Sequence, residues 1–367
     1  MTPQKSEPLQ VALVGYGYAS KTFHAPLITS VEGMRLRYVV SSSSSKVKKD
    51  WPEVSVKPSL KEALADPAVE LVVIATPNDT HFELARQALM AGKNVVVDKP
   101  FTTSIAEATE LIALAENSGR LLSVFHNRRW DADYLTVRKL LADGKLGEVV
   151  EFESHFDRFR PEVGKRWRER PGPGGGLWYD LGPHLVDQVV EIFGIPESVD
   201  ADLEAQRVGA EAVDYFHVLL RYGRRRVILH GSCLVSRENA RFSIHGTKGS
   251  FTKKGLDQQE SALKKGLRPG GAGWGRDPRD GTLTTWQDGV RRVEKVPSLP
   301  GDYPAYYMGI RDAIRGAGPN PVSGEEAAAV MAVLEKAQQS SSARCEFPLN
   351  LTGYLPLAGQ VGAGRRP

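Results

Sequence analysis

A carboxylate and an imidazole that could move a proton follow a run of glycines. Gly174–Gly176 lead to Asp180 and His184, which stand four residues apart, so an α-helix places both side chains on one face. Imidazole is the side chain best suited to proton transfer at neutral pH, and Asp180 can orient the ring or bind a substrate hydroxyl. A capped helix with a structural histidine has the same spacing. The glycine run favours chemistry, because it lets another molecule or a backbone segment come close.

A lysine at the end of a predicted strand offers a second reactive group. Asp98-Lys99-Pro100 ends the strand Asn94–Asp98, at the carboxyl edge where open α/β sheets bind their ligands. Pro100 removes a backbone donor where the strand must stop. Lys99 can hydrogen-bond a substrate oxygen and stabilise a developing alkoxide, although a strand-end lysine is also commonly a solvated surface residue.

Glycines between the first strand and the first helix predict a phosphate-binding turn. The apolar strand Leu9–Gly15 leads into Gly15-Tyr16-Gly17-Tyr18-Ala19-Ser20. Gly15 permits a tight turn, Gly17 lets the backbone approach a pyrophosphate, and the helix N-terminus supplies N–H donors. Ser20 replaces the third glycine of the usual fingerprint, and any strand-to-helix turn can carry two glycines. The position inside a βαβ unit favours a dinucleotide site.

The end of the next strand indicates which dinucleotide binds. NAD-binding folds place an acid there to accept hydrogen bonds from the ribose 2′-hydroxyl, whereas this chain has Ser41–Ser45 and Lys46, with no acid before Asp50. The hydroxyls of Ser41 and Ser42 and the Lys46 cation suit a 2′-phosphate. The sequence therefore predicts NADP as the preferred cofactor, with NAD as the other possibility. The alternative is a serine loop that touches no cofactor.

These groups need a framework, and the hydrophobic periodicity predicts one of α/β class. Strands at 9–15, 36–41, 70–75, 94–98 and 121–125 alternate with helices at 19–30, 78–90 and 105–117. Strands that alternate with helices of this length form right-handed βαβ units and a parallel sheet covered on both faces. Residues 1–127 are therefore predicted to be a Rossmann-type, doubly wound nucleotide-binding domain.

The pattern changes after a linking helix at 130–143. A long strand at 148–160 and strands at 213–222, 225–235 and 241–245 predict a large open antiparallel sheet in an α+β domain spanning 128–350. Helices are expected at 180–193, 305–315 and 325–338, the last packing back on the first domain, and 255–281 is expected to be a surface loop. Residues 351–367 are expected to be a frayed tail.

Taken together, these motifs resemble the Gfo/Idh/MocA family of nicotinamide-dependent oxidoreductases along nearly the whole chain. The resemblance rests on Gly15-Tyr16-Gly17, Thr76-Pro77-Asn78 with His81, Asp98-Lys99-Pro100, and the glycine run to Asp180 and His184. Segments 17–26, 125–130 and 155–160 resemble the YdgJ-type subgroup, which includes scyllo-inositol dehydrogenases. This chain departs from the family in having Asp98 where glutamate is commoner, and in having Ser20.

The resemblance implies roles for individual residues. Lys99, Asp180 and His184 are expected to surround the substrate carbon beside the nicotinamide, with His184 as the base for the hydroxyl proton. His155, Asp157, Arg158 and Arg160 on the long strand are expected to bind substrate hydroxyls, although an ion-pair ladder on a sheet also explains them. Trp167 is expected either to shield the nicotinamide or to be a core tryptophan. The expected cofactor contacts are Gly15, Tyr16, Gly17, Tyr18, Ser20, Ser41, Ser42, Lys46, Thr76, Pro77, Asn78, His81, Asp98, Lys99, Pro100, Asn127 and Trp167.

Composition excludes several classes of protein. The 367 residues carry 48 Lys and Arg against 44 Asp and Glu, a formal net charge of +4, and the basic residues are scattered, so no nucleic-acid partner is predicted. No stretch approaches the ~18 consecutive apolar residues of a spanning helix, and no secretion signal begins the chain, so no membrane partner is expected. Cys233 and Cys345 cannot form a disulfide framework, which favours a cytoplasmic location. No metal-ligand set is predicted.

The sequence therefore predicts an NAD(P)-dependent dehydrogenase that oxidises or reduces a secondary alcohol of a cyclic polyol or sugar. One alternative keeps the chemistry but changes the substrate to another sugar derivative. The other is a non-catalytic regulator that senses NAD(P), which the presence of Lys99, Asp180 and His184 argues against. The family resemblance also implies a homodimer or homotetramer.

Overall fold

The chain forms two compact units in a computed structural model that describes residues 7–164, 169, 170, 172 and 174–351. Gln259–Trp274 and Asp302–Gly324 join the chain up to Asn127 in the first unit. Arg128–Gln258, Gly275–Gly301 and the chain from Glu325 onward form the second. Among the described residues, no helix is both long and apolar enough to cross a bilayer.

The strands follow one another in chain order. They are β1 Leu9–Val14, β2 Met34–Val40, β3 Ser55–Lys57, β4 Leu71–Ile74, β5 Asn94–Asp98, β6 Leu122–Phe125, β7 Val149–His155, β8 Ser198–Glu204, β9 Tyr215–Tyr222, β10 Arg225–Ser232, β11 Ala240–Gly246, β12 Gly249–Lys254, β13 Gly281–Gln287, β14 Val290–Val296 and β15 Phe347–Pro348.

The α-helices are α1 Ala25–Ser30, α2 Ser44–Asp50, α3 Leu60–Leu64, α4 His81–Met90, α5 Ile105–Ser118, α6 Ala132–Ala142, α7 Gly176–Phe193, α8 Gln259–Lys264, α9 Pro304–Ile314 and α10 Gly324–Ala343. A π-helical segment, Ser20–His24, runs directly into α1. Short 3₁₀ turns at Asn78–Thr80 and Asn127–Trp130 precede α4 and α6.

A parallel sheet organises the first unit. Its six described strands lie in the order β3-β2-β1-β4-β5-β6, and every neighbouring pair is parallel. The central strands are runs of branched apolar residues with no exposed face, such as Leu71–Ile74 and Val95–Val97, as expected of a sheet covered by helices on both sides. The predicted doubly wound fold is confirmed, and its reversal point lies between β1 and β4.

A larger sheet organises the second unit. Its nine described strands lie in the order β14-β13-β12-β11-β7-β10-β9-β8-β15. The pairs are antiparallel except for β7 with β10. The predicted α+β class is confirmed, and the single parallel pair has a direct cause. The connection between β7 and β10 includes α7, and a crossover of this kind lets two strands run in the same direction.

The two faces of this sheet differ in what covers them. Trp178 and Phe193 of α7 contact Phe216 and Phe152, with ring centroids 5.0 and 5.4 Å apart, so α7 covers the face that carries these buried rings. Because side chains alternate along a strand, neighbouring residues such as His217 point to the opposite face, where His217 is exposed.

The structure differs from the sequence-based expectations in several local elements. The expected loop at 255–281 contains α8, and the last two serines of the run, Ser44 and Ser45, begin α2. The sequence also missed β8 and β12–β14. Helix α10 belongs to the second unit from Glu325 onward, where Trp178 Nε1 donates to the carbonyl of Leu334 at 3.1 Å and the Ala201 amide donates to Ser340 Oγ at 3.0 Å.

Candidate active site

The turn after β1 combines a close backbone approach with open space. Gly15 has φ +89°, and a Cβ there would lie 2.7 Å from the carbonyl oxygen of Ala75, so only glycine fits without strain. A Cβ at Gly17 would meet no atom within 4 Å. Ser20 is fully buried, and its hydroxyl has no hydrogen-bond partner among the described residues. The open space at Gly17 and the Ser20 hydroxyl both lie where the first helix begins. This arrangement suits the diphosphate of a dinucleotide.

The acid nearest to the serine run is already paired. Tyr16 Oη donates to Asp50 Oδ2 at 2.9 Å, and Lys21 Nζ lies 2.9 Å from the same carboxylate oxygen. Burial and the nearby Asp50 raise the pKa of Tyr16. Burial alone would raise the pKa of Asp50, but Lys21 and Tyr16 hold it below its usual value. Within residues 41–46, the exposed side chains are therefore three hydroxyls and one cation, those of Ser42, Ser44, Ser45 and Lys46.

His81 ties together the loops that follow β4 and β5. Its ring is buried, with Nδ1 2.9 Å from the Pro100 carbonyl oxygen and Nε2 3.0 Å from that of Thr76. Burial lowers the pKa of this imidazole, which favours the neutral form. The Thr76 and Thr80 hydroxyls lie 2.6 Å apart, and Asn78 is buried. His81 therefore contacts the backbone of both loops, and its neutral ring can donate to one of the two carbonyls.

A buried polar chain lies behind Lys99. The Lys99 amide donates to Asp98 Oδ1 at 2.8 Å, and His24 Nε2 lies 3.8 Å from the same oxygen. His24 Nδ1 is 2.6 Å from the hydroxyl of Tyr307 in α9. Burial alone would raise the pKa of Asp98. The nearby His24, Lys99 and His81 outweigh burial and hold that pKa below its usual value. Sequence reasoning missed His24 and Tyr307, since nothing in local spacing links residues 283 positions apart.

The remaining predicted cofactor residues have varied surroundings. Tyr18 is half exposed, and its hydroxyl donates to Glu260 in α8 at 2.7 Å. Asn127, two residues beyond the end of β6, is buried. Pro77 precedes the 3₁₀ turn Asn78–Thr80. Trp167 lies outside the described residues. Tyr18 therefore attaches α8 to the turn after β1, and a hydroxyl engaged in this way has less freedom to bind a cofactor.

In the second unit, the glycine run starts α7 against the protein's own backbone. Gly176 has φ +80°, and a Cβ there would lie 3.0 Å from the carbonyl oxygen of Val213. The Leu177 amide donates to that oxygen at 2.6 Å. The predicted close approach therefore exists, and the approaching group is a backbone segment. Four and eight residues beyond Gly176, Asp180 and His184 share one side of α7.

Asp180 is paired with an arginine from the strand extension. Arg158 Nη1 lies 3.2 Å from Asp180 Oδ2, and both side chains are mostly buried. A pocket of about 70 Å³ adjoins the pair. Its charged lining consists of Arg158, Arg160, Glu169, Asp180, Arg207 and Asp214. Arg207 is held by Asp214 at 2.8 Å and by Glu169 at 3.2 Å, so this pocket mixes donors and acceptors. His184, one turn further along α7, is buried.

The four expected substrate-binding residues do not share one face. Arg158 points toward Asp180, and Arg160 lines the same pocket. His155 and Asp157 alternate with these arginines and lie on the face opposite α7, where both contact His230. The structure therefore brings two of the four residues to Asp180 and groups the other two in a different cluster.

Asp187, three residues beyond His184, belongs to a buried ion pair. Arg129 donates to its two carboxylate oxygens at 2.9 and 2.7 Å, and Arg129 also lies 3.3 Å from Glu326 of α10. Burial would lower the pKa of Arg129, but Asp187 and Glu326 raise it. Through these two carboxylates, Arg129 links the turn before α6 to α7 and α10.

Comparisons with known proteins identify the family. Residues 9–126 match the NAD-binding Rossmann-fold domain of the Gfo/Idh/MocA oxidoreductase family, and residues 138–349 match its C-terminal alpha/beta domain. The chain belongs to the Gfo/Idh/MocA family. It is thus an NAD(P)-binding oxidoreductase, and the dehydrogenase class predicted from the sequence is confirmed.

Individual relatives confirm the suspected subgroup. YdgJ of Escherichia coli K12, an uncharacterized oxidoreductase, is 55% identical over 344 residues, which cover 94% of this chain and 99% of YdgJ. IolW of Bacillus subtilis 168, a scyllo-inositol 2-dehydrogenase (NADP(+)), is 40% identical over 340 residues, covering 92% and 95%. The crystal structure of an oxidoreductase from Bacillus cereus is 33% identical, with a TM-score of 0.87 and coverage of 93% and 99%.

Proposed function

We propose that this protein catalyses reversible hydride transfer between NADP and a secondary alcohol of a cyclic polyol or sugar, with scyllo-inositol as the type of substrate. The observation that carries the proposal is the pair of Asp180 and His184 on α7, with Asp180 held by Arg158 beside a pocket of mixed polarity. A carboxylate and a buried imidazole one helical turn apart suit the deprotonation of a hydroxyl.

Each proposed catalytic residue has one task. His184 accepts the proton of the substrate hydroxyl as the alcohol is oxidised and returns it in the reverse direction. Lys99 donates a hydrogen bond to the same oxygen and lowers the cost of its negative charge. Asp180, oriented by Arg158, holds the imidazole or a neighbouring hydroxyl. A bound nicotinamide supplies the hydride acceptor, and that part of the chemistry is the cofactor's own.

Two observations support NADP over NAD. Asp50, the first acid after β2, is occupied by Tyr16 and Lys21, so it offers little to a ribose hydroxyl. The exposed Ser42 and Lys46 instead suit a 2′-phosphate. The similarity to IolW, which is named for NADP, points the same way. We propose that Ser41, Ser42 and Lys46 contact the 2′-phosphate.

The polarity of the pocket beside Asp180 supports a neutral polyol. Arg207 is neutralised by Asp214 and Glu169, and Arg158 by Asp180. These arginines therefore do not form the concentrated cationic cradle that a phosphate ester needs. Donors and acceptors side by side can bind a ring of hydroxyls instead. Arg160, in the same pocket, is proposed as a further contact to a substrate hydroxyl.

A spectrophotometric panel tests this function. Reduction of NADP and NAD is followed with scyllo-inositol, myo-inositol, a common aldose, a sugar phosphate and cyclohexanol, with each cofactor saturating. The neutral polyols should react fastest, and with NADP. Since each buried polar group left unpaired costs about 1 to 3 kcal/mol, deoxy analogues should lose roughly tenfold or more in kcat/KM. Preference for the phosphate or for cyclohexanol would contradict the polyol proposal, and tight NADP binding without any turnover would favour the sensing alternative.

The edge of the second sheet supports the proposed self-association. Trp286 of β13 and Val293 of β14 project to the same face of the sheet and are 64% and 52% exposed, and exposed apolar residues grouped in this way commonly mark interfaces. We propose a homodimer or homotetramer formed through the part of the open face that lies on β13 and β14. Light scattering during size-exclusion chromatography should give a mass of two or four chains, and Trp286→Glu with Val293→Glu should reduce it. A monomeric wild type would contradict this assembly.

A further inference from the structure

A cluster of imidazole and carboxylate groups lies on the face of the second sheet that α7 does not cover. His155 at the end of β7 is the register partner of His230 in β10. Beyond β7 the chain continues beside β10, with the Phe156 amide donating to the His230 carbonyl at 2.9 Å and the Arg158 amide to that of Ser232 at 2.8 Å. Asp157 therefore projects to the same face as His155.

The three side chains converge on one point. Asp157 Oδ2 lies 3.8 Å from His155 Nδ1, and Asp157 Oδ1 lies 3.5 Å from His230 Nε2. One donor atom from each residue can be chosen so that all three lie within 4.8 Å of one another. In a tetrahedral zinc site with bonds of about 2.0–2.2 Å, neighbouring donor atoms are about 3.3–3.6 Å apart. The cluster therefore needs only small side-chain rotations to enclose an ion.

Two of the atoms that could bind an ion are buried and make no hydrogen bond within the part of the chain that the structure describes. The Asp157 side chain is only 8% exposed. Among the described residues, neither Asp157 Oδ1 nor His155 Nδ1 has a hydrogen-bond partner. A buried acceptor that is left unsatisfied costs about 1–3 kcal/mol, so a ligand that satisfied both atoms would be stabilised by the site.

The surroundings supply the second layer of contacts that metal ligands usually have. His155 Nε2, the ring nitrogen away from Asp157, lies 3.3 Å from Glu153 Oε2. Asn239 Nδ2 donates to Asp157 Oδ2 at 2.8 Å. A histidine that binds a metal commonly donates its other ring nitrogen to a carboxylate, and a ligating carboxylate commonly accepts a further hydrogen bond. Both arrangements are present here.

We propose that His155, Asp157 and His230 bind one divalent transition-metal ion, with zinc as the best match. Two imidazole nitrogens and one carboxylate oxygen are typical ligands of Zn²⁺, whereas Mg²⁺ and Ca²⁺ prefer oxygen ligands. Three protein ligands leave one coordination position for water or an exogenous ligand. The site is separate from Asp180 and His184, because it lies on the other face of the sheet from α7.

Isothermal titration of zinc into the full-length protein, purified without a histidine tag and stripped with a chelator, tests the proposal. The wild type should bind one Zn²⁺ per chain. His230→Gln and Asp157→Asn should each weaken that binding at least tenfold. His245→Gln is the matched control, because His245 lies in β11 of the same sheet and contacts Ser250 and Ser243; it should bind zinc as the wild type does.

Thermal melting of the metal-free variants separates loss of the site from loss of the fold. Each variant should melt cooperatively without zinc, and zinc should raise the melting temperature of the wild type and of His245→Gln only. If one ligand variant fails to fold, the other still decides the question. The proposal is overturned if the wild type takes up no zinc at roughly 100 μM, a very weak affinity, or if the folded ligand variants bind zinc as tightly as the wild type.

Discussion

Glycine runs open both candidate sites, but the two runs make room for different things. Gly15 in the first unit and Gly176 in the second both have positive φ, and a Cβ on either would press against a neighbouring carbonyl, that of Ala75 or Val213. Gly17, in contrast, faces open space. A glycine run therefore indicates a close approach, without indicating whether the approaching group is a ligand or the protein's own backbone.

The polar groups of the two sites differ in the same way. In the first unit, the buried Asp98 and His81 contact backbone groups, namely the amide of Lys99 and the carbonyls of Thr76 and Pro100, and Asp98 also faces the His24 ring. In the second unit, Asp180 is held by a side chain, that of Arg158. Backbone contacts thus contribute to the surface for the common cofactor, whereas a pair of side chains positions Asp180 on the surface proposed for the substrate. Substitutions should separate these two roles.

The largest expected effect is on the second unit. His184→Ala removes the proposed general base, so turnover should fall by about two to four powers of ten. Affinity for NADPH, measured by fluorescence titration, should stay within a few-fold of the wild type, because the cofactor surface belongs to the first unit. Full turnover in this variant would show that another group accepts the proton.

Substitution of the glycines by alanine should distinguish Gly17, which faces open space, from Gly15 and Gly176, which press against carbonyls. Gly15→Ala and Gly176→Ala both force a side chain into positive φ and against a carbonyl, which should cost about 2 to 5 kcal/mol of unfolding free energy. Gly17→Ala meets no atom, so stability should hardly change while NADP affinity falls. Urea denaturation with NADP titration measures both. A Gly17→Ala variant that binds NADP normally would show that the open space is not a cofactor site.

Cofactor preference should respond to one change after β2. Ser41→Asp adds a ribose acceptor and repels the 2′-phosphate, so the ratio of kcat/KM values should shift toward NAD by about one to two powers of ten. Ser59→Asp is a control, since Ser59 caps the short helix α3 and accepts from the Glu62 amide. An equal loss with both cofactors would point to misfolding, and a wild type that already prefers NAD would refute the proposed role of the serine run.

The smallest effect is expected from the ion pair that orients Asp180. Arg158→Gln removes one partly buried pair, worth about 1 kcal/mol, so kcat/KM should fall about fivefold with the substrate identified in the panel. Arg226→Gln is the control, because the Arg226 guanidinium donates to the nearby carbonyls of Gly223 and Arg225. An unchanged kcat/KM would show that Asp180 does not depend on Arg158 for its position.

Local patterns in the sequence predicted the fold more accurately than they predicted which side chains would lie together. Buried apolar strands such as Asn94–Asp98 appear with the predicted bounds, because a strand covered on both faces must be continuously apolar. Helix α8 was missed because it is short and lies in a glycine-rich stretch, where helix propensity is low.

The side-chain groupings depend on long-range packing, which spacing does not encode. His24 meets Tyr307, and Arg158 meets Asp180, only because the fold brings distant segments together. The cluster of His155, Asp157 and His230 depends on the parallel register of β7 and β10. The sequence predicted no metal ligands, since these residues form no short motif. Alternation along the strand also explains why the expected substrate residues separate into two groups.

The discontinuous composition of the first unit has a consequence for how the protein is made. Its sheet is complete by Phe125, yet Ser123 in β6 hydrogen-bonds the Tyr306 hydroxyl and the Val322 carbonyl, and His24 reaches Tyr307. During synthesis from the N-terminus, the nucleotide-binding half must wait for nearly two hundred further residues before these contacts can form. A chain cut after residue 127 should therefore expose the surface that α9 covers and aggregate, so the cofactor domain is not expected to be an independently folding module.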